Sequence, residues 1–308
     1  MDFRLTEDQI ALRRGVRDLL EGRFDREALR AAVDAASLDR GLWRELGDAG
    51  FFALRLPEGE GGVGLGLPEA VLVFEEVGRV LLPGPLVATH VAAGSVPGAA
   101  EGAVVVTSVG EGLVPWLDEA EVVLGDVTGA VPMRSVDPLT PLHRVPGNGR
   151  CAHPYPPPRT PSRGDPHAER MPTTALQEVL LTAAEQVGSA GRTTELAVSY
   201  AQTREQFGQV VGGFQAVKHL CAGMLVRTEL ARAAVRAASL TVDPVEIAGA
   251  KLLADEAAIG NARDCLQVHG GMGFTWEADV HLHLKRAWVR AELRLPAARA
   301  EEAVAAGL

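Results

Sequence analysis

No run of apolar residues in this chain approaches the roughly 18 to 20 that cross a bilayer as a helix, so no membrane partner is expected. The first residues, Met1-Asp-Phe-Arg-Leu-Thr-Glu-Asp, carry acids and no apolar segment, unlike a secretory signal. Cysteine is scarce: Cys151, Cys221 and Cys265 are far apart and odd in number, which fits reduced thiols in a cytoplasm better than a disulfide framework. Basic residues are in the minority, 30 Lys and Arg against 40 Asp and Glu, for a formal charge of −10. Phosphate binding needs a basic surface to displace counterions, so a nucleic-acid partner is not expected either. With 47% apolar and 23% charged residues, a soluble cytoplasmic globular protein is the expectation.

Several catalytic signatures are missing. The glycine-rich run at residues 59–66 lacks Gly-Lys-Ser/Thr and serves as a connecting turn rather than a phosphate loop. No Glu-x-x-His pair is present to build a di-iron bundle. His281 and His283 stand two apart on an expected helix and face different directions, and Cys151-Ala-His153 has no second ligand pair nearby. No metal is expected, and His269 is assigned a structural role.

What is present is mostly helix. Ile10, Leu12, Val16, Leu19 and Leu20 recur at helical spacing behind a Thr6/Gln9 capping box, and residues 69–82 resume the pattern after the glycines. From about Pro97 the pattern changes, and residues 103–107 and 121–124 are short β segments between Gly, Pro and Asp turns. Residues 138–172 are rich in proline and arginine and poor in aliphatics, the composition of a loop or disordered stretch. Compensating frameshifts in a GC-rich gene would give the same composition over residues 146–172.

Four helices then follow, near residues 175–206, 214–240, 244–268 and 277–293. Asp243-Pro-Val-Glu246 supplies an N-cap, a proline at the first helical position and an early acid, and Gly270-Gly271 is a stop. Long helices with short connections favour an antiparallel bundle. The expected organisation is mainly α: a helical domain at 1–97, a reduced β unit with the Pro/Arg-rich loop at 98–173, and a helical bundle at 174–308.

Two motifs carry a resemblance. Arg204-Glu-Gln-Phe-Gly208 and Gln267-Val-His-Gly-Gly-Met-Gly-Phe-Thr-Trp-Glu277, together with Gly41-Leu-Trp-Arg-Glu-Leu-Gly-Asp-Ala-Gly50 and Pro57-Glu-Gly-Glu-Gly-Gly-Val-Gly-Leu-Gly66, resemble the flavin-dependent acyl-CoA dehydrogenases over roughly residues 1–97 and 174–293. The resemblance implies FAD, with Arg204, Phe207 and Gln267 and the backbone of Gly270 and Gly271 along its dinucleotide tail, and an oligomer sharing the flavin across an interface. A planar guanidinium suits a pyrophosphate, and glycine suits a close backbone approach. Taken singly, Arg204 is equally a solvated helix-end arginine and the glycine pair only a helix stop.

The family's reaction removes a proton from the carbon beside an acyl-CoA carbonyl, which needs a desolvated carboxylate. That base occupies one of two sequence positions in the family. The resemblance puts Arg294 at one, with Glu292 two residues away, and Glu178 at the other, making Glu178 the candidate catalytic residue. Against this, Glu178 shares a helical face with Thr182, Glu185 and Ser189, opposite the stripe Leu176, Val179, Leu180, Ala183 and Val187, as on a solvated surface.

The middle of the chain departs from the family. It lacks the Thr-Glu-Pro-x-x-Gly-Ser-Asp loop, and Trp116-Leu-Asp118 lacks the hydroxyl of the ring-binding Trp-x-Thr/Ser segment. This pattern is similar to the short subunits of heteromeric acyl-CoA dehydrogenases of actinobacterial steroid side-chain degradation. The resemblance implies a subunit oxidising an acyl-CoA to a 2-enoyl-CoA, in a homo-oligomer or with an acyl-CoA dehydrogenase paralogue. The alternative is a non-catalytic subunit that stabilises an active paralogue.

Overall fold

The computed structural model describes residues 4–146 and 173–307. Its N-terminal part is five helices: α1 (Glu7–Arg23), α2 (Arg26–Ala35), α3 (Arg40–Asp48), α4 (Leu67–Val80) and α5 (Leu86–Ala92). Local chemistry sets their starts. Thr6 and Gln9 exchange side-chain and backbone bonds at 3.1 and 3.2 Å to close the expected capping box on α1. Asp25 and Asp39 cap α2 and α3. The glycine run forms a tight turn between α3 and α4, where Gly62 packs against the Leu56 carbonyl.

The long helices are α6 (Thr173–Thr203), α7 (Gln215–Thr241), α8 (Pro244–His269) and α9 (Val280–Leu293), followed by α10 (Ala297–Gly307), which packs on α8. Asp243 caps α8 by accepting from the N–H groups of Val245 and Glu246. Gln186 reaches Asp255, and Asn261 reaches Ala190 and Thr194, so α6 and α8 run side by side in one direction. Ser189 meets His283 while Glu178 meets Arg294, so α9 runs antiparallel to α6.

α6 is the central helix, and α4 crosses it at close range. A Cβ on Gly78 would lie 1.9 Å from the Glu185 carbonyl oxygen, and one on Gly188 would lie 1.8 Å from that of Glu75. The two backbones meet at this pair of glycines. On either side of the crossing α4 buries two acids: Glu76 takes both Nε and Nη2 of Arg17 from α1 at 2.8 Å, and Glu75 takes Arg232 from α7 at 2.8 Å. The two halves of the chain thus share one core, in which Phe74 and Val77 pack with Val179, Leu180 and Val187.

Between the helical parts, the described residues form five three-residue strands. β1 (Val106–Ser108) pairs in parallel with β3 (Val122–Leu124), as the two expected β segments meet each other. β5 (Leu142–Arg144) sits between β2 (Leu113–Pro115) and β4 (Val131–Met133), antiparallel to both. This corrects the loop expected from residue 138 onward. Residues 138–146 carry β5 and the buried Leu139, so a few well-placed aliphatics suffice among the prolines. The rest of the Pro/Arg-rich stretch, residues 147–172 with Cys151 and His153, lies outside the described residues. Among those described, no helix is long and apolar enough to cross a membrane.

Two predictions follow from the packing. Alanine raises helix propensity over glycine by about 1 kcal/mol, but overpacking costs about 1–3 kcal/mol. Because the obstacle at Gly188 is backbone, Gly188→Ala should lower stability in chemical denaturation, whereas Gly249→Ala on α8, whose Cβ would meet nothing within 4 Å, should be neutral or stabilising. Equal effects at the two sites would contradict the crossing.

The second concerns buried histidines. Burial holds His283 down to about 3 and His90 to about 4, so both are neutral in the folded state. Unfolded histidine titrates near 6.5, so below that pH the unfolded chain takes up protons that the folded chain refuses. Stability is therefore full above about pH 6.5 and falls toward pH 5, by up to tenfold in the unfolding constant per pH unit per histidine. His283→Asn should remove one proton from that dependence; an unchanged slope would contradict it.

Candidate functional site

The two motifs near residues 204 and 267 come together at one end of the bundle. Because α6 and α8 are parallel, Tyr200 near the end of one stacks on His269 at the end of the other, ring centroids 4.1 Å apart. His269 Nδ1 lies 2.8 Å from the Cys265 carbonyl, so the ring is fixed from both sides. α6 ends at Thr203, earlier than expected, and the Arg204–Gly208 motif is a hairpin of β6 (Glu205–Gln206) and β7 (Gln209–Val210). Its two-residue turn has Phe207 at φ +53° and Gly208 at φ +81°, the pair of left-handed residues that a tight hairpin with native twist requires. Glycine adopts this readily and phenylalanine does not.

The hairpin therefore holds an unfavourable residue at its tip, and Phe207 is 91% exposed. Arg204 and Gln267 are exposed as well, with no side-chain partner among the described residues. Gly270, at φ +59°, and Gly271 have open space where a Cβ would be. Nearby Met272, Phe274 and Trp276 are exposed, as are Leu225, Val226 and Leu230 on the outer face of α7. Trp276 stacks on His281 and carries Lys285 over its ring at 4.7 Å, while His283 points inward to Ser189, so the two histidines part company. No group of three or more His, Cys, Asp or Glu among the described residues could hold a metal ion.

Glu178 lies elsewhere, near the start of α6. The solvated face expected for it is overturned: Glu178, Thr182, Glu185 and Ser189 are all buried, because α9 covers the side that the apolar stripe leaves free. One Glu178 oxygen accepts from Ser108 Oγ at 2.7 Å, and the other pairs with Arg294 Nε at 2.9 Å. The two positions that the resemblance implies for a base thus meet in space, and the arginine at one occupies the carboxylate at the other. Arg294 is held in turn: Nη1 donates to the Leu293 carbonyl at 2.9 Å and Nη2 to Ser108. A Cβ on Gly110 would lie 1.7 Å from Arg294 Nη1, so the β1–β2 turn leaves room for this guanidinium. Glu292 is exposed on α9, away from the pair.

Arg294 is the last of three buried arginines spaced by four residues. Arg286 donates to Asp137 and to the carbonyls of Leu82 and Leu139, and Arg290 Nη2 pairs with Glu185 at 2.8 Å. Burial pushes the Glu185 carboxyl up and Arg290 down to about 10, with each partner opposing the other's shift. The i, i+4, i+8 spacing was visible in the sequence; the acids it would meet, Asp137, Glu178 and Glu185, were not, being far from it along the chain.

A flavin can be tested against these surfaces. The exposed Arg204, Phe207 and Gln267 and the open backbone at Gly270 and Gly271 fit the polar tail of a dinucleotide lying outside this chain. Trp116, by contrast, is 2% exposed and lines only a cleft of about 60 Å³, too small for a flavin ring.

Residues 6–102 match the acyl-CoA dehydrogenase N-terminal domain, and residues 170–293 match the acyl-CoA dehydrogenase C-terminal domain. The chain is 37% identical to the acyl-CoA dehydrogenase IpdE2 of Mycobacterium tuberculosis over 313 aligned residues, 93% of each chain. Among solved structures, a variant of the Tcur3481–Tcur3483 steroid acyl-CoA dehydrogenase superposes with a TM-score of 0.79 at 22% identity, covering 97% of both chains. The ChsE4–ChsE5 complex from Mycobacterium tuberculosis gives 0.72 at 23% identity, over 94% of both chains. The chain belongs to the acyl-CoA dehydrogenase family, a family of flavin-dependent oxidoreductases.

The buried Glu178–Arg294 pair gives a stability test. Removing one member of a buried pair leaves an uncompensated charge and costs about 3–5 kcal/mol. Arg294→Met should therefore be strongly destabilising in denaturant titration, and Glu178→Leu in the same chain should restore much of the loss. Additive losses would mean that the two side chains do not interact.

Proposed function

We propose that this chain is a subunit of a flavin-dependent acyl-CoA dehydrogenase that completes a flavin site seated mostly on a paralogous partner, and that the partner supplies the base. The observation that carries the proposal is the engagement of both Glu178 oxygens, one by Arg294 and one by Ser108. A general base needs a lone pair directed at its substrate, and neither oxygen of this carboxylate is left unengaged.

FAD, when bound, would supply the hydride acceptor for oxidation of the acyl group's α–β bond. This chain's part is to bind and orient. Arg204 neutralises the pyrophosphate through charge-assisted hydrogen bonds, Phe207 packs against the adenine end, and Gln267 with the backbone at Gly270 and Gly271 lines the rest of the tail. The exposed hairpin tip and the apolar outer face of α7 support burial against another subunit, since large exposed apolar patches mark interaction sites. The similarity to the Tcur3481–Tcur3483 steroid acyl-CoA dehydrogenase and to the ChsE4–ChsE5 complex supports a heteromer acting on a bulky, steroid-derived acyl-CoA. The buried Trp116 favours a second reading, in which the chain only stabilises its paralogue.

The test is the flavin content of the chain purified alone and co-expressed with a paralogue. Flavin should be retained only in the mixture. Hydrogen bonds to a charged group contribute about 1.5–3 kcal/mol, so Arg204→Ala should weaken flavin binding roughly 10- to 150-fold. Flavin saturating the isolated chain would contradict the shared site, and a mixture indifferent to Arg204→Ala would leave only the structural role.

A further inference from the structure

Beside the Glu178–Arg294 pair lies a cleft of about 60 Å³, room for roughly four to six waters. Its walls combine apolar groups, Leu86, Trp116 and Leu293, with Thr182, Glu185 and the three arginines of the α9 series. The three guanidinium groups are not equivalent. Each nitrogen of Arg286 donates to Asp137 or to a backbone carbonyl, and each nitrogen of Arg294 is held by Glu178, Ser108 or Leu293. Arg290 spends Nη2 on Glu185, while its Nη1 is buried with no hydrogen-bond partner. A buried donor without an acceptor is costly, and most such groups in folded proteins are satisfied by protein, water or ligand.

The local charge points to the missing acceptor. Asp137, Glu178 and Glu185 oppose Arg286, Arg290 and Arg294, so the cluster is formally balanced, but two of the acids are fully engaged by neighbours other than Arg290. The third, Glu185, pairs with Arg290, and burial pushes its carboxyl toward the neutral form. Of the three guanidinium groups, Arg290 is thus the one with a nitrogen, Nη1, buried without a hydrogen-bond partner among the described residues. Thr182 Oγ1 donates to the Glu178 carbonyl at 2.7 Å, which leaves that hydroxyl oxygen as an acceptor and not a donor toward the cleft. An incoming group must thus bring its own negative or acceptor oxygen to Arg290 and an apolar part to Leu86, Trp116 and Leu293.

We infer that this cleft is a binding site for a small organic carboxylate, whose oxygens take Arg290 Nη1 and whose short aliphatic part lies against Trp116 and Leu293. The cleft is formed by this chain alone, so the inference does not depend on where the flavin sits or on which subunit supplies a base.

Calorimetric titration of the full chain, purified with its co-expressed paralogue, tests this with propionate as probe and propionamide as its uncharged counterpart. Propionate should bind saturably, and propionamide at least tenfold more weakly. Arg290→Met should abolish propionate binding while leaving flavin content unchanged. Because that variant strands Glu185 in the core, the double variant Arg290→Met with Glu185→Gln provides a folded comparison and should also fail to bind. Absence of saturable propionate binding, equal affinity for propionamide, or binding that survives in either variant would each overturn the inference and leave the cleft as a water site.

Discussion

The structure turns on three buried guanidinium–carboxylate pairs along one side of α9. Arg286 ties the helix to Asp137 after β4, Arg290 ties it to Glu185 on α6, and Arg294 ties it to Glu178 on α6 and to Ser108 on β1. Replacing such pairs with well-packed apolar side chains is often neutral or stabilising, but removing one partner is not. Their consequence is therefore positional. They set the register of α9 against α6 and draw the small β unit onto the bundle, and in doing so they place a guanidinium against Glu178.

That arrangement separates two features that an active acyl-CoA dehydrogenase combines. The far end of the bundle presents exposed groups, Arg204, Phe207 and Gln267, on a strained hairpin and a glycine stop. At the end near Glu178 both carboxylate oxygens are engaged, by Ser108 and by Arg294. On the proposed function, this chain offers binding surface at one end and a paralogous counterpart carries the complementary half.

Much of the fold was legible in the sequence because its signals are local. The Thr6/Gln9 box, the Asp243 cap with Pro244, and the spans of α7, α8 and α9 all depend on neighbours within a few residues. The readings that failed needed distant partners. The face bearing Glu178, Thr182, Glu185 and Ser189 is polar, and a helix with one core would leave it in water. α6 has neighbours all round it, and the residues that receive this face, Arg290, Arg294 and His283, follow about a hundred positions later. The hairpin at Arg204 was hidden because phenylalanine is a poor sign of a left-handed turn. β5 was hidden among prolines, since its strand is defined by pairing with β2 and β4 rather than by composition.

The motif at Gln267 and the one at Arg204 were joined in the sequence only by resemblance. In the structure they are joined by the parallel course of α6 and α8 and by the Tyr200–His269 stack. The central claim, that this chain helps to hold a flavin whose reaction uses another subunit's base, is tested most directly by single-turnover bleaching of the flavin by acyl-CoA in the assembled complex carrying Glu178→Gln in this chain. The bleaching rate should equal that of the unaltered complex. A loss of several orders of magnitude, in a complex that keeps its flavin, would make Glu178 the base and contradict the account.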